Sequence, residues 1–294
     1  MVKRTSGEKV FQVLNIFLMF IIMATVLLPI MHIFSVSVSN SRAITTLGVG
    51  LLPVGFNPAA YIKLIGEAIF KRSLINTVII TAASTVFSLV VIIMVAYALS
   101  KKYFLGKKFF VYFFVVTMYF SGGLIPSYLL VSKYLRLNNT YLAYILPVLV
   151  NVFYIIVVKS QVEAIPPDLI EAAYIDGAGE YKVLFNIIIP VIKPTAAAIG
   201  MFIVLNCWNM WFPVLLYTDR REMWTMQYYL RAVVFEKFLA NNAENAPAVV
   251  GADVIPPQNY QMACIILVSL PIVSVYPFVQ KYFVKGILAG SVKG

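Results

Sequence analysis

Residues 74–108 read LINTVIITAASTVFSLVVIIMVAYALSKKYFLGKK. No charged side chain falls between Leu74 and Leu99. At ~1.5 Å per helical residue, such a run is long enough to cross a ~30 Å hydrocarbon layer. Lys101, Lys102, Lys107 and Lys108 then crowd into one short loop. Dense lysines beside a span mark the cytoplasmic side of a membrane. One stretch therefore predicts a transmembrane helix and its direction.

Comparable apolar windows occur on either side, at 11–34, 109–130, 140–158, 195–217 and 260–283. With 74–99 they predict an all-α membrane protein of six transmembrane helices. A transmembrane barrel requires alternating segments of about 10 residues instead. The composition agrees: 61% of the 294 residues are hydrophobic and 12% charged, against about 25% charged in a soluble domain. A soluble globule and a disordered chain are both excluded. The net charge of +11 would suggest nucleic acid in a soluble protein. Here the loops carry it, so membrane topology and lipid headgroups account for it and no nucleic acid is expected.

Lys3, Arg4 and Lys9 precede a first apolar run too long for a signal-peptide core, so it reads as a retained helix with a cytoplasmic amino end. Alternation then places 159–194 and the tail inside, and 36–73 and 218–259 outside, with 13 Lys/Arg inside and 10 outside. Lys71 and Arg72 run against this orientation, and the four-lysine loop decides it. The expected organisation is 1–72 as first helix and outer loop, 73–283 as a five-helix core, and 284–294 as a cytoplasmic tail. Within the outer loop, Tyr61 to Lys71 predicts a short amphipathic helix at the membrane face. Cys207 and Cys264 lie inside apolar windows, so no disulfide framework is implied.

Apart from Lys281 near the end of the last window, no Asp, Glu, Lys or Arg lies within the six windows. This weighs against an ion-coupled carrier and against a membrane enzyme. The single histidine, His32, cannot build a metal set or a base–nucleophile pair and reads as a packing or interfacial residue. Polar residues instead form stripes. Thr77, Thr81, Ser84 and Ser88 share one helical face and predict close helix packing. Tyr144, Pro147, Asn151 and Tyr154 share a second face. Asn206, Asn209, Pro213 and Tyr217 share a third, with Trp208 and Trp211 on the opposite side. An amide facing lipid is unfavourable, so the Asn faces should look towards a partner helix or a watery path. Both readings stay open, with Asn151, Tyr154, Asn206, Asn209 and Tyr217 as the path candidates. Gly122, Gly123 and Pro126 predict a kink or an end in the third window. In the outer loop, Trp224, Tyr228 and Tyr229 suggest a docking surface.

Loop 159–194 holds five of the twelve acidic residues and contains IPPDLIEAAYIDGAG at 165–179. Pro167 can open a helix whose first turn carries Asp168 and Glu171. Ala172 and Ala173 favour helix with little bulk. Gly177 can take the left-handed conformation that ends it, and Gly179 permits a second bend. A second helix is expected from Glu180 until Pro190 stops it. The product is a compact helix-turn-helix with a small-residue tip, fit to enter a groove in another protein. A plain connection between spans is equally compatible with composition.

Glu171-Ala172-Ala173, Gly177, Ile187 and Ile189-Pro190 resemble the cytoplasmic signature E-A-A-x3-G-x9-I-x-L-P of permease subunits of bacterial ABC importers, with Ile189 replacing Leu. Weaker likeness at Ser121–Pro126 and Asn206–Trp211 is similar to the carbohydrate branch, including the smaller permease of the maltose system and uronate-oligosaccharide permeases. The resemblance implies type I importer permease architecture in a bacterial cell membrane. Glu171, Ala172, Ala173, Asp176, Gly177, Ala178 and Pro190 would couple to a cytoplasmic ATPase. It also implies two ATP-binding cassette subunits carrying ATP and Mg, a second homologous permease, and an extracytoplasmic solute-binding protein that meets loop 218–259. The tail 284–294 would reach the ATPases. No G-x-x-x-x-G-K-[ST] phosphate loop occurs in the chain, which fits a subunit that borrows its ATPase. A permease for peptides or ions, and a secondary carrier, remain the alternatives.

Overall fold

A computed structural model describes residues 6–242 and 255–291. Helix α1 (Ser6–Val38) is followed by α2 (Ala59–Gly66), α3 (Ala68–Ser100), α4 (Lys107–Tyr119), α5 (Leu124–Leu129), α6 (Leu142–Ile145) and α7 (Val152–Glu163). Then come α8 (Pro167–Ile175), α9 (Glu180–Val183), α10 (Ile189–Trp208), α11 (Phe212–Tyr217), α12 (Met226–Asn242) and α13 (Pro257–Ser291). Among the described residues there is no strand, only an isolated antiparallel bridge between Ser39 and Phe56. The all-α expectation holds. Two compact units partition the chain: Met1–Glu67 with Leu230–Leu270, and Ala68–Tyr229 with Pro271–Gly294.

Three helices are long and apolar enough to cross a membrane among the described residues: Gly7–Val38, Ala68–Ser100 and Glu180–Trp208. Two bent helix pairs are apolar enough to bring these to five if each pair is one span. Lys107–Tyr119 and Leu124–Tyr134 meet at 113°, where Gly123 has φ +85°. Leu142–Val148 and Val152–Glu163 meet at 45°. The expected break at Gly122–Pro126 is therefore a sharp turn, and window 109–130 is not one straight span. Broken helices are tolerated at membrane depth where protein or a watery cavity satisfies the freed backbone groups.

In the first unit, the carboxyl end of α1 is closed by Asn259, whose Nδ2 donates to the carbonyls of Val36 (2.8 Å) and Ser37 (2.9 Å). These are orphan acceptors of a helix end. His32 Nδ1 lies 3.1 Å from the Gly50 carbonyl, an ordinary local tie. The amphipathic helix is shorter than expected. It buries Ala60 and Leu64 and stops at Gly66, because Glu67 turns extended and Lys71 and Arg72 belong to α3.

The second unit is built on α3, α7 and α10. Ile80, Ile92, Ile155, Val158, Ile188 and Ile192 are buried in its core. Thr77, Thr81, Ser84 and Ser88 are all buried, as close packing requires. A Cβ at Gly200 would stand 3.1 Å from Leu89 Cδ1, so glycine sets how closely α10 approaches α3. Window 195–217 is not one helix. It stops at Trp208, and α11 restarts at Phe212 beside Pro213.

Pro190 does not stop the second helix of loop 159–194. A π-helical turn at Leu184–Ile188 precedes it, and the helix continues through Pro190 although the proline has no N–H to donate to the turn before it. Glu180–Trp208 therefore runs as one 29-residue helix.

Candidate functional site

The signature loop folds as α8, a tight turn and α9. Pro167 lies in the first turn of α8, and Asp168 sits at its amino end, where the helix dipole favours an acid. The other end is a Schellman closure. Gly177 adopts φ +74°, its N–H donates to Tyr174 O (3.0 Å), and Ala178 N–H donates to Ala173 O (2.9 Å). Gly179, by contrast, is extended at φ −75°, ψ 168°, so the second bend needs no glycine.

No residue of α8 is fully buried. Glu171, Ala172, Asp176 and Gly177 are exposed, while Ala173 and Ala178 pack half-buried against the core. Leu169 and Ile175 are also exposed, Ile175 to 86%. Among the described residues, nothing covers the apolar side chains of Leu169 and Ile175. The sequence reading stressed the small residues and passed over these two. Two bulky aliphatics in a polar loop were the available signal.

Beneath α8 lies a cleft of about 1040 Å³ lined by residues including Lys107, Glu163, Ile170 and Glu171. A polar cluster fixes its edge. Lys101 Nζ is 2.7 Å from Glu180 Oε2 and donates to Tyr174 Oη at 2.6 Å. Tyr97 Oη donates to Glu180 Oε2 (2.5 Å), and Tyr174 Oη to Glu180 Oε1 (2.8 Å). The ammonium stands 4.3 Å from the Tyr97 ring centroid. Burial disfavours the charged Lys101, but its bonds to Glu180, Tyr174 and Tyr97 outweigh it and hold its pKa above the ordinary lysine value. Lys107 and Lys159 both bind Glu163, at 2.9 and 2.7 Å.

At the other end of the unit, Asn76 of α3 holds the segment after α11. Its Nδ2 donates to the carbonyls of Glu222 (2.7 Å) and Trp224 (3.0 Å), and its Oδ1 accepts from Tyr141 Oη (2.8 Å). Thr77 Oγ1 accepts from Met226 N–H (2.8 Å), and Thr225 Oγ1 donates to Met210 O (2.6 Å). Asn139, at φ +56°, accepts through Oδ1 from Thr218 Oγ1 (2.9 Å) and Asp219 N–H (3.0 Å). Asn76 was missed in the sequence, although an amide in an apolar run demands partners.

This seating changes the reading of the outer aromatics. Tyr229 is buried edge-on against Phe70, with centroids 5.7 Å apart, so its ring offers no docking surface. Trp224 and Tyr228 pack against the core and each other at 4.9 Å. Short-range packing won over exposure, because the loop folds back onto α3. The exposed residues there are Asp219, Arg220, Arg221 and Glu222.

The path candidates separate. Asn151 caps α7, accepting from Tyr154 N–H at 3.2 Å, a structural task that explains its amide. Tyr154 stacks on Phe202 at 6.4 Å and Tyr217 on Tyr128 at 6.0 Å. Asn209 donates to Leu205 O (2.9 Å) and accepts from Gln227 Nε2 (3.0 Å), yet stays exposed. Asn206 is exposed, while Trp208 is buried on the other side of α10 as expected. The shared face does not continue to Pro213 and Tyr217, because the helix breaks at Asn209. Among the described residues, no group of acids, histidines and cysteines could hold a metal ion. The tail beyond Ser291 and residues 243–254 of the outer loop lie outside the described residues.

A helical membrane unit with an exposed signature knob defines a transport permease. Residues 69–289 match the family described as binding-protein-dependent transport system inner membrane component, and the chain belongs to that family. Protein LplC of Bacillus subtilis (strain 168) is 36% identical over 99% of this chain and 97% of that protein. The polygalacturonan/rhamnogalacturonan transport system permease protein YtcP of the same strain is 34% identical over 91% and 92%. Among solved structures, a chain of a bacterial ABC transporter involved in import of the acidic polysaccharide alginate superposes with TM-score 0.85 at 30% identity, covering 96% of this chain and 100% of its own length. A chain of a bacterial alginate transporter in complex with an alginate pentasaccharide-bound periplasmic protein shares the fold, with TM-score 0.57 at 18% identity over 92% of each chain. The chain has type I ABC importer permease architecture and is an inner-membrane permease subunit of a binding-protein-dependent transport system.

Proposed function

We propose that this permease passes oligosaccharides, uronic-acid-containing ones in particular, into the cytoplasm, driven by ATP hydrolysed on partner subunits. The carrying observation is the exposed α8 knob with its left-handed closure at Gly177 and its uncovered Ile175 and Leu169. Such a surface needs a socket, and the chain has no phosphate loop of its own. The complex then comprises a second permease, two ATP-binding cassette subunits holding ATP and Mg, and an extracytoplasmic solute-binding protein. The knob, the amino end and the tail face the cytoplasm.

The substrate class is supported by relatives named for polygalacturonan and rhamnogalacturonan transport and by the alginate importer chain, which favour a sugar over a peptide or an ion. Mechanically, ATPase closure displaces α8, and Glu180–Trp208 carries that displacement towards Asn206 and Asn209. Asn206, exposed and amide-bearing, is the best-placed group to meet a sugar hydroxyl.

The test is uptake into vesicles holding the reconstituted complex. Internal ATP without an ion gradient should support uptake of a labelled oligogalacturonide, and a gradient without ATP should not. Gradient-driven uptake without ATP would overturn the reading.

A further inference from the structure

We infer that the Tyr97–Lys101–Tyr174–Glu180 cluster is the mechanical tie that makes span α3 follow the knob, with Lys101 as its positioning residue. The inference rests on the coupling role proposed for α8.

Packing joins α8 to the core only through the half-buried Ile170 and Ala173. None of its residues is fully buried, and a cleft of about 1040 Å³ lies beside it. A helix over a cleft can shift without dragging its neighbours, because dispersion forces fall steeply once a gap opens. The polar cluster bridges that gap. Tyr174 belongs to α8, Glu180 begins the 29-residue helix, Tyr97 lies one turn from the end of α3, and Lys101 follows it directly. Three segments therefore meet at one carboxylate.

Every polar side-chain atom of the cluster has a partner within it. Glu180 Oε2 receives Lys101 Nζ and Tyr97 Oη, and Oε1 receives Tyr174 Oη. Tyr174 Oη accepts from Lys101 and donates to Glu180, so it sits in series between them. Lys101 also lies over the Tyr97 and Tyr174 rings, at 4.3 and 5.3 Å. These bonds are directional, so their geometry holds orientation as well as distance. The cluster is also partly solvent-exposed, with 59% of the Glu180 side chain accessible. Exposed ion pairs contribute little to folding, so its loss should change transmission more than assembly.

The neighbouring lysines do not duplicate it. Lys107 and Lys159 are engaged by Glu163, and Lys107 also donates to the Ser100 carbonyl at the end of α3 (3.3 Å), so these bonds tie α3, α4 and α7 but not α8. Lys101 is the lysine that reaches the two halves of the signature loop at once.

The test uses the full complex reconstituted with its ATPases and binding protein. It reads oligosaccharide molecules imported per ATP hydrolysed, and the stimulation of ATPase by loaded binding protein. Lys101→Met and Glu180→Gln should each lower the import ratio about threefold or more, with unchanged co-purification of the subunits. The double variant should be no worse than either single one, since both break the same tie. Lys101→Arg, which keeps charge and donors, should recover most of the ratio. Tyr174→Phe removes one hydroxyl and leaves the ring, so it should lower the ratio even where Lys101→Met fails to assemble. An unchanged ratio in Tyr174→Phe and Lys101→Met, or multiplied losses in the double variant, would overturn the tie. Gly177→Asp serves as the reference. If it uncouples while the cluster variants do not, only the tie fails; if neither affects the ratio, the coupling role of α8 fails with it.

Discussion

Gly177 is where conformation and proposed function meet most closely. Its φ of +74° closes α8 and brings the Ala178 N–H to the Ala173 carbonyl. An L-residue there carries about 1–2 kcal/mol of left-handed strain. Among the described residues, nothing lies within 4 Å of a Cβ at that position, so no clash with them adds to it. Gly177→Ala should therefore weaken the closure by about 1–2 kcal/mol, which is roughly a 5- to 30-fold shift against the closed turn. Asn tolerates this conformation better, so Gly177→Asn should shift it less. Gly177→Asp adds a negative charge between Asp176 and Glu180 and should be the most damaging of the three. The assay is the complex in sealed vesicles, with labelled oligosaccharide uptake and phosphate release measured together. The subunits should co-purify normally throughout, and import per ATP should fall in the order wild type, Asn, Ala, Asp. A wild-type ratio in Gly177→Asp would refute the reasoning. Equal losses for Asn and Ala would show that room in the partner's socket matters and not the backbone angle.

Asn76→Leu removes three hydrogen bonds and leaves the Glu222 and Trp224 carbonyls and the Tyr141 hydroxyl to find other partners, at about 1–3 kcal/mol for each left buried and unmet; limited proteolysis should cut at 218–225 sooner, and ATPase stimulation by loaded binding protein should fall. Gly200→Ala forces Leu89 aside from a 3.1 Å approach and should destabilise the permease by about 1 kcal/mol, whereas Gly200→Leu should exceed about 3 kcal/mol, with Leu89→Ala recovering part of the thermal midpoint. Asn206→Leu should reduce uptake several-fold without changing assembly; normal uptake would leave Asn206 as a residue of the surface alone.

The sequence exposed those features that depend on short-range physics. Apolar run length gave the spans, and Pro167 and Gly177 gave the start and stop of α8, because helix-end chemistry is local. Local rules failed where tertiary structure decided. Pro190 reads as a helix stop, yet a π-helical turn just before it lets the chain continue to Trp208. The outer aromatics read as exposed because they sit in a long loop, but Asn76 and Thr77, some 150 residues earlier, pull that loop down onto α3. Asn151 and Asn206 look alike in the sequence, being amides in apolar windows. The structure separates them, since one caps a helix and the other faces outwards. No periodicity could have revealed the Lys101–Glu180 pair, which joins positions that only the fold brings together.

The uninterrupted helix from Glu180 to Trp208 changes what the knob can do. At ~1.5 Å per residue its 29 residues extend about 43 Å, more than the ~30 Å hydrocarbon thickness. One end starts at Glu180, just beyond Gly177, and is gripped by Lys101 and Tyr97. The other ends beside Asn206 and Asn209, and Thr225 binds the Met210 carbonyl just past it. Had Pro190 stopped the helix, displacement of the knob would have been absorbed at a hinge near the knob itself. A continuous rod instead delivers even a small tilt at its base to its far end, where the path candidates and the Asn76-seated loop lie. One stretch of the rod, residues 184–194, departs from the regular ladder, through the π-helical turn at Leu184–Ile188 and through Pro190 and Pro194, which have no N–H to donate. It should therefore be where any bending during transport is concentrated.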